Sequence, residues 1–420
     1  MKIYLNNFKG FTDTFIPFFD VNFFVGENST GKTTVLKLLE LFSEPPFWMK
    51  LDFNAAKHEF GNFSEIVNQY SNDRSYFEIG VEFGSKKGKS VSTSPEFRGW
   101  YKFKDGKNVP VISEFKYLFK DETIWVKIHD EKSISFCTKN GAFDSFENWI
   151  KNIDGFSESK RIDIDGIGKR DFFLIMLIIE NELKRKEKYH MEKYIPKELV
   201  VLCHYGAMRA APKRYYDAFY QVDSKEGEFI PILLKGILLT KEAREIKKEI
   251  NHFGKESGMF DTIKIDNYGK KQDAPFSINV SFDSHQIKII NVGYGVSQVL
   301  PMLVEMVFLK NTPFTIQQPE IHLHPKAQAA FGNLIFKVAK DRKNKFFVET
   351  HSDFIINRFR YNIYRKHEKS LKSQVLFFQI DKNGTHVTSL PIDEKGHYPD
   401  DIPSEYGKFF IDEELKMLEF

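Results

Sequence analysis

Eight residues near the start of the chain, Gly26-Glu27-Asn28-Ser29-Thr30-Gly31-Lys32-Thr33, satisfy G-x-x-x-x-G-K-[ST] at every specified position. The chemistry served by that spacing is phosphate binding. Gly26 and Gly31 let the backbone fold around phosphate oxygens, so that successive amides of Asn28, Ser29, Thr30 and Thr34 and the N-terminus of the next helix face the anion. Lys32 would reach the outer phosphates as a point charge, and Thr33 would place its hydroxyl on Mg2+. A glycine-rich turn with a capping threonine is the competing reading. The flanks decide against it: an apolar strand, NFFV, enters the loop and an amphipathic helix leaves it.

Three further segments carry side chains suited to work on a phosphate. Asn291 to Gln298 reads NVGYGVSQ ahead of an apolar helix, with Ser297 where a helix cap belongs and glycines that admit an anion closely. Taken alone, that pattern fits a hairpin turn into a capped helix equally well. The string Phe314-Thr315-Ile316 then leads into Gln317-Gln318-Pro319-Glu320-Ile321-His322-Leu323-His324-Pro325, and the strand KFFV leads into Glu349-Thr350-His351-Ser352-Asp353. Arg209, in YGAMRAAPKR, has a guanidinium suited to bidentate phosphate contact; a structural ion pair or an exposed basic cluster with Lys213 and Arg214 is the alternative. His322 and His324 alternate as metal ligands can, but no Cys or third ligand stands nearby.

The elements that must position these residues follow from periodicity. Strands are expected at Ile3–Leu5, Phe15–Phe19 and Val21–Val25, then a helix from Thr33 that Pro45-Pro46 ends. Residues 75 to 138 read as an antiparallel meander, with strands at Tyr76–Phe83, Phe97–Phe103, Trp125–Ile128 and Ile134–Cys137. Residues 140 to 200 read as helical and highly charged, a solvated helix face rather than a nucleic-acid contact. A buried strand is expected at Leu199–Tyr205, a helical segment at Ile230–Gly254, and a strand pair at Phe276–Phe282 and Gln286–Ile290. The last third alternates helix (Gln298–Leu309, Lys326–Lys340, Asp353–Arg360) with strand (Phe314–Ile316, Lys345–Val348), which implies a parallel sheet flanked by helices.

Composition narrows the class. The 420 residues, 41% hydrophobic with 43 Phe, carry enough apolar surface for two or three cores. Lys plus Arg number 61 against 58 Asp plus Glu, and the resulting +3 is no strong footprint for nucleic acid. Two cysteines, Cys137 and Cys203, exclude a disulfide scaffold and fit a reducing compartment as small buried hydrophobes. The N-terminus lacks a signal peptide's apolar core, and the longest apolar run, Phe172 to Ile179, is too short to span a bilayer. A cytoplasmic protein that does not enter membranes is expected.

The order of the motifs resembles the RecF/SMC/OLD-type branch of ABC ATPases. More narrowly, the chain is similar to bacterial AAA-type ATPases, including those of Septu-like and retron-linked phage defence. FGNFSEIV, YGAMRAAPKRYY and the acidic, aromatic stretch PIDEKGHYPDDIPSEYGKFF share in the likeness. The resemblance implies an α/β fold of ABC-head type: a P-loop mixed sheet, an antiparallel β meander and a helical lobe. It implies three stretches: 1–140, with the phosphate loop and meander; 141–260, the helical lobe and insertion; and 261–420, with signature, Walker B strand, D-loop and switch histidine. The cofactors implied are ATP and Mg2+. Two copies would dimerise head to tail, or form a higher oligomer, with Gly295, Ser297 and Gln298 of one closing the ATP on the other. By the same likeness His351 would contact the gamma-phosphate in cis, HLHP would be the D-loop, and Arg209 would take a place comparable to the Q-loop.

The sequence departs from that pattern at Gln317 and Gln318, where ABC ATPases place an acid that holds Mg2+ through water and an acid that polarises the attacking water. A glutamine orients water but does not accept its proton near neutral pH. Among the group's relatives Glu-Gln-Pro-Glu is common here, so only the first glutamine is unusual. Glu320 is then the nearest carboxylate to serve as base, with Gln318 positioning the water. The expectation is a slow ATPase switch that regulates a separately encoded effector, a nuclease by the resemblance, in antiphage defence. After His351 no acidic cluster of the Toprim type appears in a strand context, so the nuclease is expected on another chain. A non-hydrolysing ATP-dependent scaffold and a RecF-like DNA-binding repair ATPase are the alternatives.

Overall fold

A computed structural model describes residues 1–55, 59–84, 86–87, 93–94, 97–119, 122–129, 133–140, 145–152, 156–164, 172–183, 202–209, 211–217, 230–237, 243–271 and 274–410. The chain divides into two compact units. One comprises Met1–Phe18, Glu27–Val201 and Phe378–Ser389, the other Phe19–Gly26, Leu202–Phe377 and Leu390–Phe420.

The first unit is built on an eight-stranded antiparallel sheet. Its order is Lys160–Asp163, Ser133–Asn140, Glu122–Ile128, Pro110–Phe119, Phe97–Asp105, Tyr76–Phe83, Lys2–Asn6 and Thr14–Pro17. This is the expected meander extended by the N-terminal hairpin. The strand Pro110–Phe119 was not expected, and the reason is local: Lys102 pairs with Glu114 but Phe103 with Ile112, so Ser113 bulges out and breaks the alternation that marks a strand. Across the bulge its buried apolar residues Ile112 and Phe115 are therefore three apart, whereas Phe115 and Tyr117 keep the spacing of two. Phe53, Phe77 and Phe103 form a ring cluster under this sheet, with centroids 4.9 to 5.3 Å apart. The helix Lys32–Ser43 buries Val35, Leu36, Leu38, Leu39 and Phe42, the predicted apolar face.

The region expected to be helical after 140 contains helices Phe146–Lys151 and Phe172–Glu182, but Lys160–Asp163 is a strand, held by pairing with Ser133–Phe136. The charged run beyond Leu183, to 201, lies outside the described residues.

The second unit holds the parallel sheet that the alternating pattern implied. Cys203–Tyr205, Pro313–Gln317, Lys345–Glu349 and Val21–Gly26 lie side by side, all parallel. In the sheet order Ser373–Phe377, the part of the strand Ser373–Asp381 that belongs to this unit, follows. Helices Tyr294–Phe308, Pro325–Arg342 and Asp353–Lys366 connect or follow these strands. The expected segment Ile230–Gly254 is two helices, Ile230–Ile237 and Ala243–Ser257. A small antiparallel sheet, Thr262–Asn267, Phe276–Phe282 and His285–Lys288, leads into the helix at Tyr294. Because the four strands run parallel and stay in register, their C-terminal ends collect Gly26, Gln317 and Glu349 at one edge, where ligands gather in such sheets.

Candidate nucleotide site

The phosphate loop is formed by its own residues. Glu27, Asn28 and Ser29 are exposed, and their chain turns through left-handed backbone at Ser29 (φ 64°) and Gly31 (φ 96°). Gly31 is required twice: a side chain is strained at that φ, and a Cβ there would lie 2.7 Å from the Phe11 ring. The Glu27 carbonyl accepts from Thr30 Oγ1 at 2.8 Å and from Lys32 Nζ at 2.6 Å, so the lysine is curled over the loop. Lys32 is the first residue of its helix, and no side chain caps that end. Thr33 and Thr34 are half-buried in the first turn.

The second group of candidate residues stands on the ends of two adjacent parallel strands. Gln317 pairs with Glu349 in register, and the Gln318 N–H donates to the Glu349 carbonyl at 2.7 Å. Gln318 has φ 44°, a conformation uncommon for a non-glycine residue. Both oxygens of Glu320 are engaged: Thr350 Oγ1 donates to one at 2.8 Å and the His351 N–H to the other at 2.7 Å. Burial pushes the Glu320 carboxyl upward; the bonds from His351 and Thr350 pull against it, Glu349 adds repulsion, and the net shift is upward. A carboxylate poised nearer neutrality is a better proton acceptor at working pH. The His351 ring is half-buried, 6.0 Å from the Phe409 ring.

Arg209 joins this group. Its Nη2 donates to the Gln317 carbonyl at 3.1 Å, and its own carbonyl accepts from Gln298 Nε2 at 3.4 Å. Only 5% exposed, it has an Nε that finds no partner among the described residues. Burial pulls the guanidinium down to about 10, leaving it charged at neutral pH. Arg209 is therefore a buried cation beside Gln317, not part of an exposed basic cluster.

The NVGYGVSQ segment differs from expectation in one respect. The helix begins at Tyr294 with Gly293 as its cap, so Ser297 lies inside the first turn. Its Oγ donates to the Tyr294 carbonyl at 2.7 Å, and it is 5% exposed. The helix starts early because Gly295 allows close approach: a Cβ there would lie 2.5 Å from the His322 carbonyl, and the Tyr294 and His322 rings meet edge to face at 4.8 Å. The histidine pair has structural work. His324 caps the helix Pro325–Arg342, accepting from the Ala327 N–H, and His322 turns the backbone at φ 66°. Among the described residues no three His, Cys, Asp or Glu side chains gather to hold a metal.

Residues 1–356 match the family described as AAA_15: AAA ATPase domain. The chain belongs to that family of ATPases. ATP is accordingly the nucleotide its phosphate loop serves, hydrolysis is the reaction class, and Mg2+ is the usual companion of the nucleotide. No curated protein matches the sequence. Among solved structures, the SMC head bound to the C-terminal winged-helix domain of ScpA aligns over 93% of this chain and 98% of that one, with 12% identity and a TM-score of 0.46. The SMC head domain from Thermotoga maritima aligns over the same shares at 11% identity and 0.41. An SMC head with an extended coiled coil, bound to the C-terminal domain of ScpA and derived from Pyrococcus furiosus, covers 100% and 98% at 13% identity and 0.41. Among the described residues, no helix is long and apolar enough to cross a membrane.

Thr33 in the first unit and Gln317 in the second each offer a neutral oxygen, and a hard cation that keeps several waters needs few protein ligands beside phosphates. Two residues not singled out by motif reading also belong to the strand-end group: Thr350, which holds Glu320, and Glu349, which shares a register level with Gln317. The signal was present in the shared last position of two parallel strands. The register itself was not.

Proposed function

We propose that this chain is an ATP-driven switch that works as a head-to-tail homodimer and controls a separately encoded effector, a nuclease, in antiphage defence. ATP sits on the amides of the phosphate loop with Lys32 at its outer phosphates and Thr33 and Gln317 toward Mg2+. Glu320 takes the proton of the attacking water, Gln318 orients that water, and His351 meets the gamma-phosphate. The segment Gly293–Gln298 of the second copy closes the site; its exposed members are Gly293 and Tyr294, so Ser297 must leave the Tyr294 carbonyl to take part. The switch and the dimer are supported by the order of the four motifs, the effector and the defence role by likeness to ATPases of such systems.

The observation that carries hydrolysis is the double hydrogen bond that fixes Glu320 beside His351. Steady-state phosphate release measures it, with Lys32→Ala as the control: turnover above the control is expected, and turnover equal to it would reject the enzyme reading. In light scattering, ATP should double the mass of the parent chain but not of Ser297→Arg; equal dimerisation by the two would remove the closure in trans. Gln317 and Gln318 favour one other reading, a scaffold that binds ATP without hydrolysing it, and the same phosphate assay separates the two.

A further inference from the structure

Residues 393–410 belong to the same compact unit as His351 and the helix Asp353–Lys366, and they are held to that helix at two places. At the first, Asp393 closes a turn: its carboxylate accepts from the Lys395 and His397 N–H groups at 2.8 and 2.7 Å, and Gly396 takes φ 74°. That turn needs its glycine for close approach as well, because a Cβ on Gly396 would lie 2.6 Å from the Arg360 carbonyl. From the helix, Arg360 Nε donates to the Gly396 carbonyl at 2.8 Å, and the guanidinium lies 3.9 Å from the centre of the Tyr398 ring.

At the second place the segment is helical over 404–410, and aromatic contacts lead from it to His351. The Tyr398 and Tyr406 hydroxyls hydrogen-bond at 2.8 Å, and Tyr406 meets Phe377 edge to face at 5.3 Å. Phe409 lies 6.2 Å from the Phe377 ring and 6.0 Å from the His351 ring, within the range of interacting aromatic pairs. Tyr406 and Phe377 are buried in the core of the unit, so Phe409 rests on a fixed support. His351 immediately precedes Ser352, which caps the helix, so the segment runs back along the helix from Arg360 to its start.

We propose that Phe409 is a positioning residue for hydrolysis: it packs against His351 and, backed by Phe377 and Tyr406, keeps the imidazole in one orientation. The inference rests on the role given to His351 above and adds to it the segment that holds the ring. A phenyl ring has no proton to give or take, so Phe409 acts only through the histidine. Holding a side chain in its productive geometry raises the rate by removing misaligned conformers, and it leaves substrate affinity alone. The latch at Gly396 and Arg360 matters for the same reason, since it fixes where the segment begins its return along the helix.

The test is a double-mutant cycle on the full chain, read as steady-state phosphate release. Phe409→Ala should lower kcat roughly two- to tenfold with KM for ATP unchanged, the scale of one aromatic contact. Phe409→Tyr, which keeps the ring, should turn over as the parent does. In a His351→Ala background, Phe409→Ala should have no further effect, because a positioning contact is lost with the residue it positions. Phe409→Leu keeps apolar bulk without a ring and serves if Phe409→Ala does not fold; it too should lower kcat in the parent and do nothing in the His351→Ala background. An undiminished kcat in these Phe409 variants, or an equal fall in both backgrounds, overturns this inference alone. If His351→Ala turns over as the parent does, the histidine's place in the site falls and this inference with it.

Discussion

The phosphate loop and the strand-end group are assembled in opposite ways. In the loop, the contacts to the Glu27 carbonyl come from Thr30 and Lys32, three and five positions away. In the strand-end group, Glu320 is held by residues 30 and 31 positions away, and Arg209 reaches Gln317 across 108. The loop binds with a conformation that its own residues impose. The strand-end group, proposed to carry hydrolysis, consists of side chains that only the folded sheet brings together. Binding and hydrolysis should therefore be separable by mutation, binding being lost locally and hydrolysis through any contact that supports the group.

The sharpest test of that separation is Glu320→Gln, which removes the proposed proton acceptor while keeping its shape. Turnover should fall by roughly 10²–10⁴-fold with ATP affinity unchanged; a parallel loss of affinity would break the distinction. Next in size, His351→Ala should slow turnover by about 10²-fold and weaken binding far less, because its contact gains most as charge develops on the gamma-phosphate. Unchanged turnover would remove His351 from the site.

On the side of the loop, Gly31→Ala forces a side chain into φ 96° and against Phe11, and should cost about 1–3 kcal/mol in a urea titration while impairing nucleotide binding. Unaltered stability would mean that the loop rearranges freely. A comparable effect is expected from Thr350→Val, which removes the hydrogen bond to the ionised Glu320, about 1.5–3 kcal/mol, together with the one that Thr350 Oγ1 accepts from the Ser352 N–H. As the proposed base, Glu320 would act when deprotonated, so activity should be lost as pH falls through its folded pKa. Removing a bond that favours the charged form raises that pKa further, and the acid limb of kcat/KM should move to higher pH. A limb that stays in place would show that Thr350 does not tune Glu320.

Legibility followed the same division. The strands entering the loop, the helix leaving it and the alternation of the last third were readable because each depends on periodicity within a short window. Pro110–Phe119 escaped because the bulge at Ser113 upsets its period of two, and Lys160–Asp163 because its strand character comes from a partner rather than from KRID itself. Ser297 looked like a cap because the close approach of Gly295 to His322, which lets the helix start at Tyr294, is a contact between distant segments.

Amino-acid order by itself determined that this protein carries a phosphate loop, a glutamine pair where acids are usual, and a glutamate and a histidine that follow strands. Those are properties of neighbours along the chain, fixed by backbone freedom at glycine and by local donors. Only the tertiary structure decided that Thr350 and His351 grip Glu320, that Arg209 is buried against Gln317, and that Glu349 lies level with Gln317. The physical reason is register: a shift of one residue between strands 32 positions apart would turn every one of these side chains to the other face. That register is held by the buried packing of the whole sheet.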